Sequence, residues 1–194
     1  VQVSSKPEQK LALRKKLLEE RGRIPKSVRD EAAEKISREA VKLPAYTLAD
    51  KLLIYVSNEQ ELSTRRLLSY ALDTGREVYC PRCVPGGNDM VFHRVRSLSD
   101  LKKGSFGLLE PDVTCEAGSF TDQSLCVTPA LAFDRRGYRI GYGRGYYDKF
   151  FCTFPGIKLG LCYEGFLLDE VFRDEFDVPV DVIMTEKKLV YPDK

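Results

Sequence analysis

Lys51-Leu-Leu-Ile-Tyr-Val56 is an unbroken apolar run of strand length, followed by a helical pattern over Ser63–Leu72 and a second strand-like run, Glu77–Val84. A short continuous apolar run bounded by polar segments reads as a strand buried on both faces, and such strands belong to parallel sheets. Working outward, Met90–Val95, Leu125–Thr128, Ala130–Phe133, Ile157–Tyr163 and Val182–Thr185 read as further strands. Gly86-Gly-Asn-Asp89 reads as a hairpin-like turn between Glu77–Val84 and Met90–Val95. Helices are expected over Tyr146 to about Phe154 and over Leu168–Phe172. Strands alternating with helices predict an α/β protein with a largely parallel sheet.

Before this pattern begin two helices. Ser5-Lys-Pro-Glu8 is a capping-box start for a helix ending near Gly22. Ser27-Val-Arg-Asp30 opens a second helix to about Leu43, with Val28, Ala32, Ile36, Ala40 and Leu43 as its apolar face and Pro44 as its stop. The expected organisation is a single α/β domain over 1–194, with 1–44 as its helical part.

At roughly 100° per residue, Leu13 and Leu17 flank one side of an apolar arc in the first helix, and Leu11 and Leu18 the other. Lys10, Arg14 and Arg21 fall between them. Snorkelling explains a cation at the edge of a stripe, but two at i and i+4 in its middle call for an anion, and for Lys10 and Arg14 a ligand's anion is expected rather than a protein carboxylate.

Composition narrows the classes. The 194 residues are 43% hydrophobic and 31% charged, with net charge +2. That is ordinary for a globular protein and too mild to declare a nucleic-acid binder. No apolar run reaches the ~18 residues of a membrane span, and the first residues hold no apolar signal core, so a cytoplasmic protein is expected. Six cysteines in this length make no disulfide framework. Cys80-Pro-Arg-Cys83 lies in a strand-like run, where positions three apart face opposite ways, and the sole histidine is His93 in another run. Buried thiols are therefore expected rather than a zinc or redox site.

The chemistry concentrates in Gly137-Tyr-Arg-Ile-Gly-Tyr-Gly-Arg-Gly-Tyr-Tyr-Asp148. A tight turn, an Arg/Gly/Tyr segment that binds RNA and a phosphate loop all compete for it. The glycines at 141, 143 and 145 allow close approach of an anion to backbone N–H groups, and Arg139 and Arg144 add charge. The spacing is neither GxGxxG nor GxxxxGK[ST], which disfavours a dehydrogenase and a Walker-type ATPase. Asp148 is a candidate Mg²⁺ ligand, and Glu175-Phe-Asp-Val-Pro-Val-Asp181 supplies a second acidic cluster.

Pro129-Ala-Leu-Ala-Phe-Asp134 together with that loop resembles the signature of the 5-formyltetrahydrofolate cyclo-ligase (5,10-methenyltetrahydrofolate synthetase) family. Lys10-Leu-Ala-Leu-Arg14, Tyr55-Val-Ser57 with Glu61, Gly107-Leu-Leu-Glu-Pro111, and Asp177-Val-Pro-Val-Asp181 with Thr185-Glu186 are similar to its other elements and occur in the same order. The resemblance implies a three-layer α/β fold of the kind shared with sugar-phosphate isomerases and CoA transferases. It implies an enzyme of one-carbon metabolism that converts 5-formyltetrahydrofolate and ATP to 5,10-methenyltetrahydrofolate, ADP and phosphate, with Mg²⁺. By position, Lys10, Arg14, Arg139, Gly141, Tyr142, Gly143, Arg144, Gly145, Tyr146 and Tyr147 would bind ATP. Glu61, Phe106 and Tyr146 would meet the folate, with Tyr146 and Arg144 nearest the chemistry. Asp148 and Asp177 would face the metal, with Asp181 as the alternative. Position 144, often Gly or Lys in such loops, is Arg here. No nucleic-acid or membrane partner is implied, and a monomer is expected rather than an obligate oligomer. A sugar-phosphate isomerase and an RNA-binding module are the rival readings; the first needs no ATP, and the second predicts salt-sensitive RNA affinity.

Overall fold

The computed structural model describes residues 6–104 and 107–193. One half of the main sheet is built from β1 (Leu52–Ile54), β2 (Val78–Cys83) and, at its edge, β3 (Met90–Val95). β1 pairs parallel with β2, Leu52 opposite Val78, and on its other side with β6 (Leu125–Thr128), Leu53 opposite Cys126. Leu52, Leu53 and Ile54 are fully buried, so both faces of β1 are covered, as its unbroken apolar run requires. The sheet continues through β9 (Ile157–Leu161), β11 (Val182–Met184) and β12 (Leu189–Val190), in the order β12-β11-β9-β6-β1-β2-β3. Only the outer strands β3 and β12 run antiparallel to their neighbours. The fold is thus α/β with a mostly parallel central sheet.

This order has a physical consequence. From β1 the chain winds one way to β2, and from β6 the other way to β9 and β11. The crevice between the carboxyl ends of β1 and β6 is a topological switch point, where the connecting loops part and leave room for a ligand. Pro81 fits its place in β2: β1 pairs only with Val78 and Tyr79, so the missing N–H at position 81 costs no bond to β1.

The helices are α1 (Lys6–Gly22), α2 (Lys26–Ala40), α3 (Pro44–Thr47), α4 (Arg65–Asp73) and α5 (Tyr146–Phe151). Several expectations need correction. α2 begins at Lys26 behind Pro25 without a side-chain cap, and Val28 is half exposed rather than on the apolar face. Pro44 both ends that segment and starts α3, where a proline in the first turn lacks only an N–H that would be unbonded anyway. In α1 the buried line is Lys10, Leu17 and Arg21, while Leu11 is 65% exposed. α5 stops at Phe151, and no helix forms over Leu168–Phe172: Leu167–Leu168 is instead strand β10, paired with β7 (Ala132–Asp134).

Two small sheets were not legible beforehand. β4 (Leu101–Lys103) and β5 (Leu109–Pro111) form an antiparallel pair. β7 and β8 (Arg139–Ile140) form a hairpin that carries the start of the glycine-rich segment. The CxxC thiols part as the strand geometry demands. Cys80 is buried, with its pKa raised by burial, and Cys83 is half-buried. His93 stands opposite Cys80 in register and donates through Nδ1 to Cys115 O at 2.8 Å. Among the described residues no helix is long and apolar enough to cross a membrane.

Candidate active site

The glycine-rich segment does three different jobs. Its first part is a turn. Asp134 is fully buried and accepts from Arg136 N at 2.9 Å, Tyr138 N at 3.0 Å and Val171 N at 3.3 Å. Gly137 has φ +89°, and a Cβ there would lie 2.6 Å from Val180 O, so this glycine closes the β7–β8 hairpin and is no phosphate contact. Its middle is the open part. Gly141 has no atom within 4 Å of a would-be Cβ, and Gly143, at φ +95°, lies against the Arg14 guanidinium. Arg14 Nε donates to Gly141 O at 3.1 Å. Thus α1 and the loop meet around Arg14. Its last part, with Tyr147 and Asp148, turns inward.

That inward turn forms an alternating charge cluster. Arg139, with a side chain 5% exposed, donates to Asp148 Oδ1 at 2.7 Å and to Val178 O at 2.8 Å, and lies 5.0 Å over the Phe151 ring. Burial dominates both partners: it lowers the Arg139 pKa and raises that of Asp148, each opposed by the other's charge, with Asp177 pushing Asp148 further up. Lys10 Nζ lies 2.6 Å from Asp174 Oδ2 and 2.8 Å from Asp177 Oδ2. Burial opposes the Lys10 charge, yet these two hydrogen-bonded carboxylates leave its pKa raised. The ligand anion expected at Lys10 is therefore corrected: two carboxylates of the chain itself stand there, because the acidic segment before β11 folds back onto α1. Tyr147 packs edge-on against Phe92 and Phe151, and its buried hydroxyl has no partner among the described residues.

Asp181 stands apart in role. It accepts from Lys158 N at 2.9 Å and Lys158 Nζ at 3.3 Å, tying the start of β11 to β9. Asp148 and Asp177 are near enough to act on each other, and two carboxylates beside phosphate oxygens are a donor set that suits Mg²⁺. Among the described residues no group of three or more His, Cys, Asp or Glu side chains forms a metal cluster.

Across the switch point lies the second half of the site. Glu61, in the loop after β1, accepts from Asn58 N at 3.0 Å; burial raises its pKa against the opposing charge of Arg21. Arg21 Nη2 donates to Ala130 O at 2.8 Å, just beyond β6, and Nη1 to Tyr142 OH at 3.3 Å. Tyr142 thus links the glycine loop to the Glu61 side. Arg144 and Tyr146 line a cleft of about 270 Å³ with Cys83, Val84, Pro85, Gly86 and Gly87. Tyr146 OH donates weakly to Gly87 O at 3.5 Å, and burial and the Cys83 neighbourhood raise the pKa of its phenol. Phe106 lies outside the described residues.

The model of the 5-formyltetrahydrofolate cyclo-ligase family matches residues 6–186. The chain belongs to the 5-formyltetrahydrofolate cyclo-ligase family. A probable cyclo-ligase of Caenorhabditis elegans is 27% identical over 182 residues, covering 87% of this chain and 88% of its own. The cyclo-ligase of Haemophilus influenzae is 26% identical over 155 residues, covering 77% and 83%. The NMR structure of Aquifex aeolicus 5,10-methenyltetrahydrofolate synthetase superposes with TM-score 0.82 at 32% identity, covering 94% and 92%. A Mycoplasma pneumoniae 5,10-methenyltetrahydrofolate synthetase shares the fold, with TM-score 0.71 at 20% identity over 91% and 98%. This cyclo-ligase is therefore a folate enzyme.

Sequence reasoning missed two features of the cyclo-ligase site. One is Asp174 as a partner of Lys10, although the acidic run beginning at that residue was a visible complement to the basic stripe. The other is Glu110, 4% exposed, which accepts from Cys83 N at 3.3 Å and acts electrostatically on Cys83 and Tyr146. The Gly107-Leu-Leu-Glu-Pro111 resemblance marked the position, but nothing local to a three-residue strand told which groups this Glu meets.

Proposed function

We propose that this cyclo-ligase couples ring closure to ATP: 5-formyltetrahydrofolate and ATP give 5,10-methenyltetrahydrofolate, ADP and phosphate through a phosphorylated formyl intermediate. The observation that carries this reading is the meeting of the glycine loop with Arg14 on one side and, through Tyr142 and Arg21, with the Glu61 loop on the other. A nucleotide subsite and a pterin subsite then share one crevice.

The chemistry needs no protein nucleophile. The formyl oxygen attacks the γ-phosphorus and ADP departs. N10 of the folate attacks the formyl carbon and gives up its proton to the departing phosphate, and the C–O bond breaks as phosphate leaves with the former formyl oxygen. An amide oxygen is a weak nucleophile, so positioning and charge neutralisation carry the rate. Arg14, against Gly141 and Gly143, and Arg144 would face the phosphates, with Lys10, paired to Asp174 and Asp177, as the third cation of the nucleotide side. Glu61 accepts from pterin N–H groups. Tyr146 donates to the reacting oxygens. Asp148 and Asp177 would hold Mg²⁺, which lowers the charge on the phosphates when bound.

Purified protein is expected to form methenyl product, followed by its absorbance, with one ADP per turnover. Absence of product, or product without ATP, overturns the reading. Substrate carrying ¹⁸O in the formyl group separates the intermediate from other routes: the label belongs in released phosphate, and its retention elsewhere rules out attack by the formyl oxygen.

A further inference from the structure

Arg21 closes the last turn of α1 and is 2% exposed, an unusual burial for a cation with no carboxylate in hydrogen-bond reach among the described residues. Its contacts are otherwise distributed. Nη2 donates to Ala130 O after β6; Nη1 donates to Gln60 O, beside Glu61, at 3.4 Å and to Tyr142 OH at 3.3 Å. The guanidinium lies 5.6 Å over the Tyr163 ring and 5.4 Å over the Phe166 ring, beyond β9. Its Nε is buried without a partner among the described residues. The contacts fall on the segments after β1, after β6 and after β9 and on the glycine loop, so the set spans the switch point. A side chain needed only to fill space there would be apolar, because burying a guanidinium with incomplete hydrogen bonding is costly.

We propose that Arg21 is a positioning residue that couples the two substrate sides: one planar fork fixes the Glu61 loop and Tyr142 of the glycine loop relative to each other, so that filling one subsite orders the other. This rests on the reading of the loop as nucleotide-side and Glu61 as folate-side. A planar fork suits the task, since its two nitrogens have fixed relative directions and a lysine ammonium does not. The groups facing Glu61 are Arg21 from α1 and the Asn58 N–H of its own loop. Tyr55 from the end of β1, Tyr142 from the glycine loop and Tyr147 from α5 face it as well, each feeling the Glu61 charge. Arg21 is the cation in this set, and its charge opposes the upward push that burial gives the Glu61 carboxyl.

Two measurements test this. In the first, calorimetry reads the affinity of a non-hydrolysable ATP analogue with Mg²⁺, with and without saturating 5-formyltetrahydrofolate. The wild-type protein is expected to bind the analogue at least about fivefold more tightly with folate present. Arg21→Lys and Tyr142→Phe each reduce that ratio towards one. Tyr142 is 41% exposed, so its phenylalanine variant keeps the fold even if the Arg21 variants lose it. Absence of the ratio in wild type, or an unchanged ratio in the variants, overturns the coupling. In the second, ¹³C-carboxyl NMR follows Glu61 in the ligand-free protein, where Arg21→Lys, with its ammonium set further back, and Arg21→Met are expected to raise its titration midpoint. An unmoved midpoint in a folded variant removes Arg21 from the site. Failure of the analogue or the folate to bind at all sinks the ligase reading, and the NMR result then still decides whether Arg21 controls Glu61.

Discussion

The loop arginines show how one residue type divides into two tasks. Arg139 is buried with Asp148, so Arg139→Ala leaves a half-buried carboxylate without its partner. A loss of about 3 kcal/mol is expected, a Tm fall of roughly 6–12 °C by calorimetry. Arg144 is exposed beside the cleft, so Arg144→Ala is expected to move Tm less while lowering kcat/KM for ATP by about tenfold or more. Equal Tm losses from the two variants would contradict this division. Glu61 carries a pH signature. Its folded pKa lies above the unfolded value, so its stability contribution is fully present below the unfolded value and is lost as pH rises through the folded one. Glu61→Gln is therefore expected to raise Tm by about 1–3 °C at pH 7.5, with a shrinking gain as pH falls, while abolishing folate turnover. The residue types of the site were readable in the sequence; their partners were not. The stripe of Lys10, Arg14 and Arg21 asked for an anion, but nothing within α1 tells that Lys10 meets Asp174, 164 positions away.

Elements were legible where a long pattern or a tight turn carried them. β1, β2, β3, β6, β9 and β11 all lie within their expected runs because apolar strand runs between turns have few alternatives. Short pieces were not legible. β8 and β10 have two residues each, too few for any periodicity, and exist because β7 offers both its edges to them. The Leu168–Phe172 pattern reads as a helical turn, yet the pairing of Leu167 and Leu168 with β7 wins. The β7–β8 hairpin depends on Asp134, whose carboxylate satisfies three backbone N–H groups. Asp134→Asn turns an amide NH₂ towards such donors, and a loss of about 2 kcal/mol, roughly 4–8 °C in Tm, is expected by thermal denaturation. A similar test applies to the core: a Cβ at Gly160 of β9 would lie 2.5 Å from the Phe133 ring. Gly160→Ala is expected to cost about 1–3 kcal/mol through overpacking, read as a lower denaturant midpoint.

At the scale of the molecule, the sheet order puts the loops after β1, β6 and β9 at one edge, and α1 brings Arg14 and Arg21 to that edge from the start of the chain. Ligands that bridge these loops should stabilise the whole fold, by RT ln(1 + [L]/Kd) for a ligand bound only when folded. Mg·ATP at about a hundred times its Kd is expected to raise Tm by roughly 5–10 °C. A chelator should shrink the shift if Asp148 and Asp177 take the metal, and a shift indifferent to the chelator would speak against that pair.

The sequence by itself determined the α/β class, the parallel centre and, through Pro129–Asp134 with the glycine-rich segment, the family. Each of these is written in local spacing: apolar run length, helical period, a fixed order of glycines, arginines and one acid. Tertiary structure alone decided which glycine turns and which stays open, which arginine is buried, and that Arg21 bridges the crevice between β1 and β6. Those outcomes follow from what each side chain faces across the fold, and a helix or strand pattern specifies a face without specifying its partner.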